Sequence, residues 1–171
     1  MPLPDLSKYE KFVDLTNGRM RYYEAGSGDE HTILIPSTIL GASADTFQFV
    51  IELLAERLHV YAIDNLGFGE STRVLPQGPL FDVLVDGIRE FMDLKSIGSA
   101  NFIGEAVGGW IACLLAYESP HRVRKVIADS VAGMNVHGPM GPGTPENDFL
   151  GRYNPPTKEG MLKSRMRYVY P

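Results

Sequence analysis

The chain is 171 residues long, with 44% hydrophobic and 22% charged residues. That is the balance of one globular domain, and it excludes a disordered chain. Sixteen basic against twenty-one acidic residues leave a formal charge of −5, a poor match for a phosphate backbone.

Met1-Pro-Leu-Pro-Asp-Leu-Ser-Lys8 has no positive start followed by an apolar stretch, so no signal peptide is evident. Lys11-Phe-Val-Asp-Leu15 and Arg19-Met-Arg-Tyr-Tyr-Glu24 flank Asn17-Gly18 and predict a β-hairpin. Thr32-Ile-Leu-Ile35 is an apolar strand stopped by Pro36. Thr46 to Leu58 carries Phe47, Val50, Ile51, Leu54 and Leu58 at helical spacing. Val60-Tyr-Ala-Ile63 is a second buried strand, and Leu80 to Leu94 is helical, with Leu84, Ile88 and Phe91 on one face. Ala100-Asn-Phe-Ile103 is a strand, Gly109 to Tyr117 an apolar helix, and Val123 to Ala128 a further strand. The alternation predicts an α/β fold: a mostly parallel sheet with helices on both faces, built by residues 1–135.

Residues 136–153 break the pattern. Gly138-Pro-Met-Gly-Pro-Gly-Thr-Pro145 cannot be regular structure and reads as an excursion from the core. In 154–171, Asn154-Pro-Pro introduces a helix over Thr157–Tyr170 with Thr157 as its N-cap. Residues 151–171 carry +4 and the first 150 carry −9; the basic tail reads as a solvated helix face. No apolar run reaches the roughly 20 residues of a membrane span. The single cysteine, Cys113, excludes an internal disulfide and a cysteine-based zinc site, and the expected location is the cytoplasm.

The chemistry is expected where the strand ending at Ile103 runs through Gly104-Glu105-Ala106-Val107-Gly108-Gly109 into a helix. Two glycines four apart at a strand-to-helix turn are the frame of a nucleophile elbow, G-x-S-x-G. Its central residue sits in strained backbone, and its neighbours lack side chains so that strand and helix can approach. The next N–H, that of Val107, points to where an oxyanion would form, with the helix N-terminus adding positive potential. The central position here is Ala106, which has no atom able to attack a carbonyl.

Around this elbow, residues 18–135 resemble the α/β-hydrolase family. Asp64-Asn-Leu-Gly67-Phe-Gly69-Glu-Ser71 is similar to the family's D-x-x-G-x-G-x-S turn, and Tyr117-Glu-Ser-Pro120-His-Arg-Val123 to its link after the elbow helix. Relatives usually carry His-Gly after the strand that ends at Ile35; this chain has Pro36-Ser37. The resemblance implies the backbone N–H groups of Thr38 and Val107 as the oxyanion hole. Gly41-Ala42-Ser43 and the segment Asn154 to Pro171 look most like the meta-cleavage-product hydrolases, which cut carbon–carbon bonds. In that comparison residues 154–171 are the start of a helical cap. The chain then holds about six of the family's usual eight strands, and roughly a hundred further residues would carry the triad's acid and histidine. It would leave its last core strand as an open edge.

The resemblance implies a hydrolase of an ester or carbon–carbon bond, inactive as written because Ala106 replaces a serine. A second reading is a natural ligand-binding relative without catalysis, and a third is an assembly role in which this half-domain pairs with a second chain carrying the missing strands. In the first two the expected partner is a small molecule, with neither nucleic acid nor membrane; a homo-oligomer is left open. No metal or organic cofactor is implied. His31, His59 and His121 read as solvated polar residues, and Cys113 as packing within its helix. His137, after a strand's C-terminal end, is a candidate for the pocket lining, as are Glu105, Trp110 and Asp129. Asp129 is also the best candidate acid. A dinucleotide fingerprint at Gly67-Phe-Gly69 fails, because Thr72 stands where a third glycine belongs.

Overall fold

The structure is a computed structural model that describes residues 3–38, 42–73 and 78–131. The helix expected over Thr157–Tyr170, the Gly/Pro-rich stretch, His137 and Gly41 lie outside these residues. Among the described residues six strands follow in chain order: β1 (Glu10–Leu15), β2 (Gly18–Ala25), β3 (His31–Ile35), β4 (His59–Ile63), β5 (Ala100–Glu105) and β6 (Val123–Asp129). Three helices join them: α1 (Ile51–Ala55), α2 (Leu80–Leu94) and α3 (Val107–Glu118). They make one sheet of order β1-β2-β4-β3-β5-β6. The β1–β2 and β2–β4 pairs are antiparallel, and β4–β3, β3–β5 and β5–β6 are parallel.

The hairpin closes where the sequence places it, with Leu15 opposite Gly18 and Gly18 at φ +140°. Because side chains alternate along a strand, Ile33 and Ile35 face one side of the sheet and Leu34 the other. On the first side, Tyr22, Tyr61 and Ile63 pack with Ile88 and Phe91 of α2 and Ile111 and Leu115 of α3. On the second, Tyr23, Leu34, Val60 and Ala62 pack with Ile51 of α1. Each such side chain contributes roughly 1.5–3 kcal/mol of burial, which explains strands that are apolar on both faces.

One element is shorter than its periodicity predicts. Ala44–Phe47 is a 3₁₀ turn and only Ile51–Ala55 is α-helical. Thr46 N–H bonds the carbonyl of Ser43, and Val50 N–H that of Phe47, each three residues back at 2.9 Å. Such tight turns cannot keep the apolar stripe on one side, and Val50 of that stripe is left 40% exposed.

His31 and His59 are not solvated as expected. They begin the adjacent strands β3 and β4, paired in register, with ring centroids 5.3 Å apart and both half-buried. His59 Nε2 lies 3.0 Å from Glu24 Oε1, and its ring stacks on Tyr61. Lys95 and Lys11 donate to Glu24 Oε2 at 2.9 and 3.1 Å. Burial alone would raise the Glu24 pKa; the hydrogen bonds from Lys95, Lys11 and His59 outweigh it and pull it from 4.5 down to about 2. A carboxylate whose folded pKa lies below its unfolded value stabilises above the unfolded pKa and loses that contribution as pH falls. Glu24→Gln is therefore expected to cost about 2 kcal/mol at pH 7, discounted because Lys11 is half exposed. The gap from the parent should close between pH 4.5 and 2 in urea unfolding curves. A gap constant with pH would contradict it. His121 is exposed, as expected.

The D-x-x-G-x-G-x-S segment is a turn wrapped around a carboxylate. Asp64 is fully buried, and its Oδ1 accepts the Ala44 N–H at 2.6 Å while Oδ2 accepts the Glu70 N–H at 2.7 Å. Arg21 of β2, 3% exposed, donates from Nε to Oδ2 at 2.7 Å. Ser71 Oγ donates to the Asp64 carbonyl and accepts the Arg21 N–H, both at 2.8 Å. Gly69 has φ +53°, and a Cβ there would collide with the Asp64 carboxylate. Gly69 thus makes room for a side chain rather than for a nucleotide's phosphates.

Among the described residues β6 is an edge strand, with Ile127 60% exposed. No helix among them is long and apolar enough to cross a membrane.

Candidate active site

Position 106 has the backbone that the glycine frame implies. Ala106 is at φ +50°, ψ −109°, between β5 and α3. Alanine rarely adopts this region, at a cost of order 1–3 kcal/mol. Two backbone bonds hold it there: its N–H donates to the Asp129 carbonyl at 2.8 Å, and its carbonyl accepts the Trp110 N–H at 3.2 Å. Ala106→Gly is accordingly expected to raise the unfolding free energy by about 1 kcal/mol, since glycine enters this region freely. A denaturant midpoint at or below the parent's would argue against strain here.

The flanking glycines are required by contact. A Cβ on Gly104 would strike the Gly108 carbonyl and lie 2.5 Å from Gly109 N, so β5 and α3 could not meet. A Cβ on Gly108 would overlap the Ile35 carbonyl and come within 2.8 Å of Pro36 O. Gly108 thus brings the elbow against the start of the loop that carries Thr38. As the first residue of α3, Val107 has an N–H without an intrahelical partner, at the positive end of a twelve-residue helix. Such an end can hold developing negative charge.

Glu105 and Asp129 end β5 and β6 as register partners and share a face of the sheet. Both line a cavity of about 200 Å³ with Phe47, Val50 and Ile103. Glu105 Oε2 is buried there without a partner, while Asp129 Oδ1 accepts from Ser130 Oγ at 3.0 Å. Two expected lining residues therefore meet at one cavity. Trp110 is half-buried and not part of its wall. Cys113 corrects its expectation: it is exposed, because Ile111, Ala112 and Leu115 form the inward face of α3 and Cys113 points away from it. Among the described residues no group of three or more His, Cys, Asp or Glu could hold a metal ion.

Reading the sequence missed Arg21. Arg19-Met-Arg-Tyr-Tyr looks like polar–apolar alternation, yet Met20 through Tyr23 are all buried. The available signal was Asp64 itself, a carboxylate at the end of an apolar strand that needs a partner.

The family described as alpha/beta hydrolase fold matches residues 31–163. A 2-hydroxy-6-oxononadienedioate/2-hydroxy-6-oxononatrienedioate hydrolase of Paraburkholderia phymatum is 27% identical over 94% of this chain and 58% of its own. The dihydrolipoyllysine-residue acetyltransferase component of an acetoin cleaving system from Cupriavidus necator is 31% identical over 75% of this chain and 34% of its own. This chain thus spans from a third to under two thirds of the length of those relatives. A crystal structure of a meta-cleavage product hydrolase mutant superposes with a TM-score of 0.66, at 28% identity over 71% of this chain and 45% of that one. A Bacillus subtilis protein shares the fold at 17% identity, with a TM-score of 0.76 over 93% of this chain and 53% of that one.

Proposed function

Because the chain belongs to the α/β hydrolase fold family, we propose that it is the elbow-bearing part of a hydrolase that cuts an ester or carbon–carbon bond of a small organic substrate. In this reading Ala106 occupies the nucleophile position, and the chain as written is inactive. Serine at 106 would attack a carbonyl or activate water, and the N–H groups of Thr38 and Val107 would hold the resulting oxyanion. The chemistry draws on no cofactor. One observation carries the reading: Ala106 keeps an elbow backbone that alanine gains nothing from, at φ +50°. The likeness to hydrolases of meta-cleavage products supports the carbon–carbon alternative. Asp129 is the candidate acid within this chain. His137 belongs to the proposed pocket lining, residues 154–171 to the start of the cap, and the setting is cytoplasmic.

Ala106→Ser, made in a polypeptide extended to the relatives' length, is expected to raise turnover of small esters or vinylogous diketones at least ~10³-fold over the alanine form. No gain would sink the reading. A second reading, a natural binding protein that has lost catalysis, is favoured by one feature of the sequence: Pro36-Ser37 stands where the family resemblance implies His-Gly. The codon at 106 in the source gene separates the two, since an encoded serine removes the second.

A further inference from the structure

Two arms of the loop after β3 reach the elbow's end of the sheet, and they are held in different ways. The outgoing arm, Ile35-Pro36, rests against Gly108. The returning arm, Ser43-Ala-Asp45, is tied to Arg21. Asp64 takes the Ala44 N–H on one oxygen and the Arg21 Nε–H on the other. Arg21 Nη2 donates to Asp45 Oδ2 at 3.1 Å, and Nη1 donates to Tyr23 Oη at 2.6 Å. The Tyr23 hydroxyl donates in turn to Asp45 Oδ1, and Ser43 Oγ donates to Asp45 Oδ2. Glu10 Oε1 lies 3.3 Å from Arg21 Nη1 and completes the charged surroundings.

Burying a guanidinium inside a strand is a poor route to stability, since an apolar residue of similar volume often does as well or better. What a guanidinium supplies is a rigid fork that fixes several acceptors at once. Besides Glu10 and Tyr23 on the hairpin, the acceptors here are Asp64 at a neighbouring strand's end and Asp45 on the returning arm of one loop. Thr38 lies between the arm held by Gly108 and the arm held by Arg21. We propose that Arg21 is a positioning residue for the oxyanion-binding loop, acting through Asp64 and Asp45 to hold the Thr38 N–H opposite that of Val107. This rests on the reading of Thr38 and Val107 as the oxyanion donors.

The test titrates benzoate, whose carboxylate oxygen stands in for the oxyanion, into the 171-residue chain while the amide resonances of Thr38 and Val107 are followed by NMR. In the parent both resonances are expected to shift and saturate with one Kd. In Arg21→Lys, which keeps the charge but not the fork, the Thr38 shift should vanish, the Val107 shift persist, and Kd weaken about tenfold. Tyr23→Phe, which leaves the Arg21–Asp64 pair in place, should weaken Kd about threefold and serves if Arg21→Lys does not fold. A folded variant with a lower urea midpoint but the parent's Thr38 response would mean that Arg21 only stabilises, and would overturn the proposal. If neither amide of the parent responds, the oxyanion reading itself fails and this proposal falls with it.

Discussion

Asp64→Ala is expected to lower the unfolding free energy by about 3–5 kcal/mol, among the largest losses available to one substitution here. The carboxylate is fully buried and satisfies three donors: the Arg21 guanidinium and the N–H groups of Ala44 and Glu70. Removing it leaves a guanidinium only 3% exposed without its nearest counter-charge. It also leaves two N–H groups short of their acceptor, and each buried unmet donor costs about 1–3 kcal/mol. Burial works against the Arg21 charge, yet Asp64 and Asp45 hold its pKa above the ordinary value, so the guanidinium stays charged throughout. Asp64→Asn should lose less, because it keeps an acceptor oxygen while removing the charge. Urea unfolding followed by far-ultraviolet circular dichroism measures both. A loss below about 1 kcal/mol for Asp64→Ala would show that water replaces the carboxylate without penalty.

Gly108→Ala is expected to destabilise by about 3 kcal/mol or more, although alanine is ordinarily the better helix former. The helix preference favours alanine by roughly 1 kcal/mol, so the sign of the effect separates local propensity from tertiary contact. The added methyl would overlap the Ile35 carbonyl, a backbone atom at the end of β3 that cannot turn aside as a side chain could. Either α3 tilts off the sheet or the loop carrying Thr38 is displaced. The first outcome would separate Ile111 and Leu115 from the core they share with Ile33 and Phe102. Gly98 offers a control, because a Cβ there meets nothing within 4 Å. Gly98→Ala should leave the unfolding midpoint within about 0.5 kcal/mol of the parent. Equal effects at the two glycines would remove the contact as the cause.

The sequence by itself determined the order of the elements and the place of the elbow. Ile33–Ile35 and Val60–Ile63 are apolar without alternation, and only a strand covered on both faces needs that composition. The stripe of Leu84, Ile88 and Phe91 likewise reports one buried helix face, and all three are buried. Gly104 and Gly108 were legible because their spacing at a strand-to-helix turn is a motif in itself, although what Gly108 makes room for is the Ile35 carbonyl of a distant strand. Tertiary structure alone decided the rest. Arg21 reads as an outward polar residue until β4 and its loop close over it and Asp64 is found alongside. His31 and His59 lie 28 positions apart, and only the parallel register of β3 and β4 makes them neighbours. Cys113 sits in an apolar helix whose low amphipathicity hides which side faces the sheet, and the strands choose that side. Glu105 and Asp129 share a cavity because β5 and β6 end in step. Local patterns record what each segment must bury; which charges and rings meet depends on strand order, which no single segment contains.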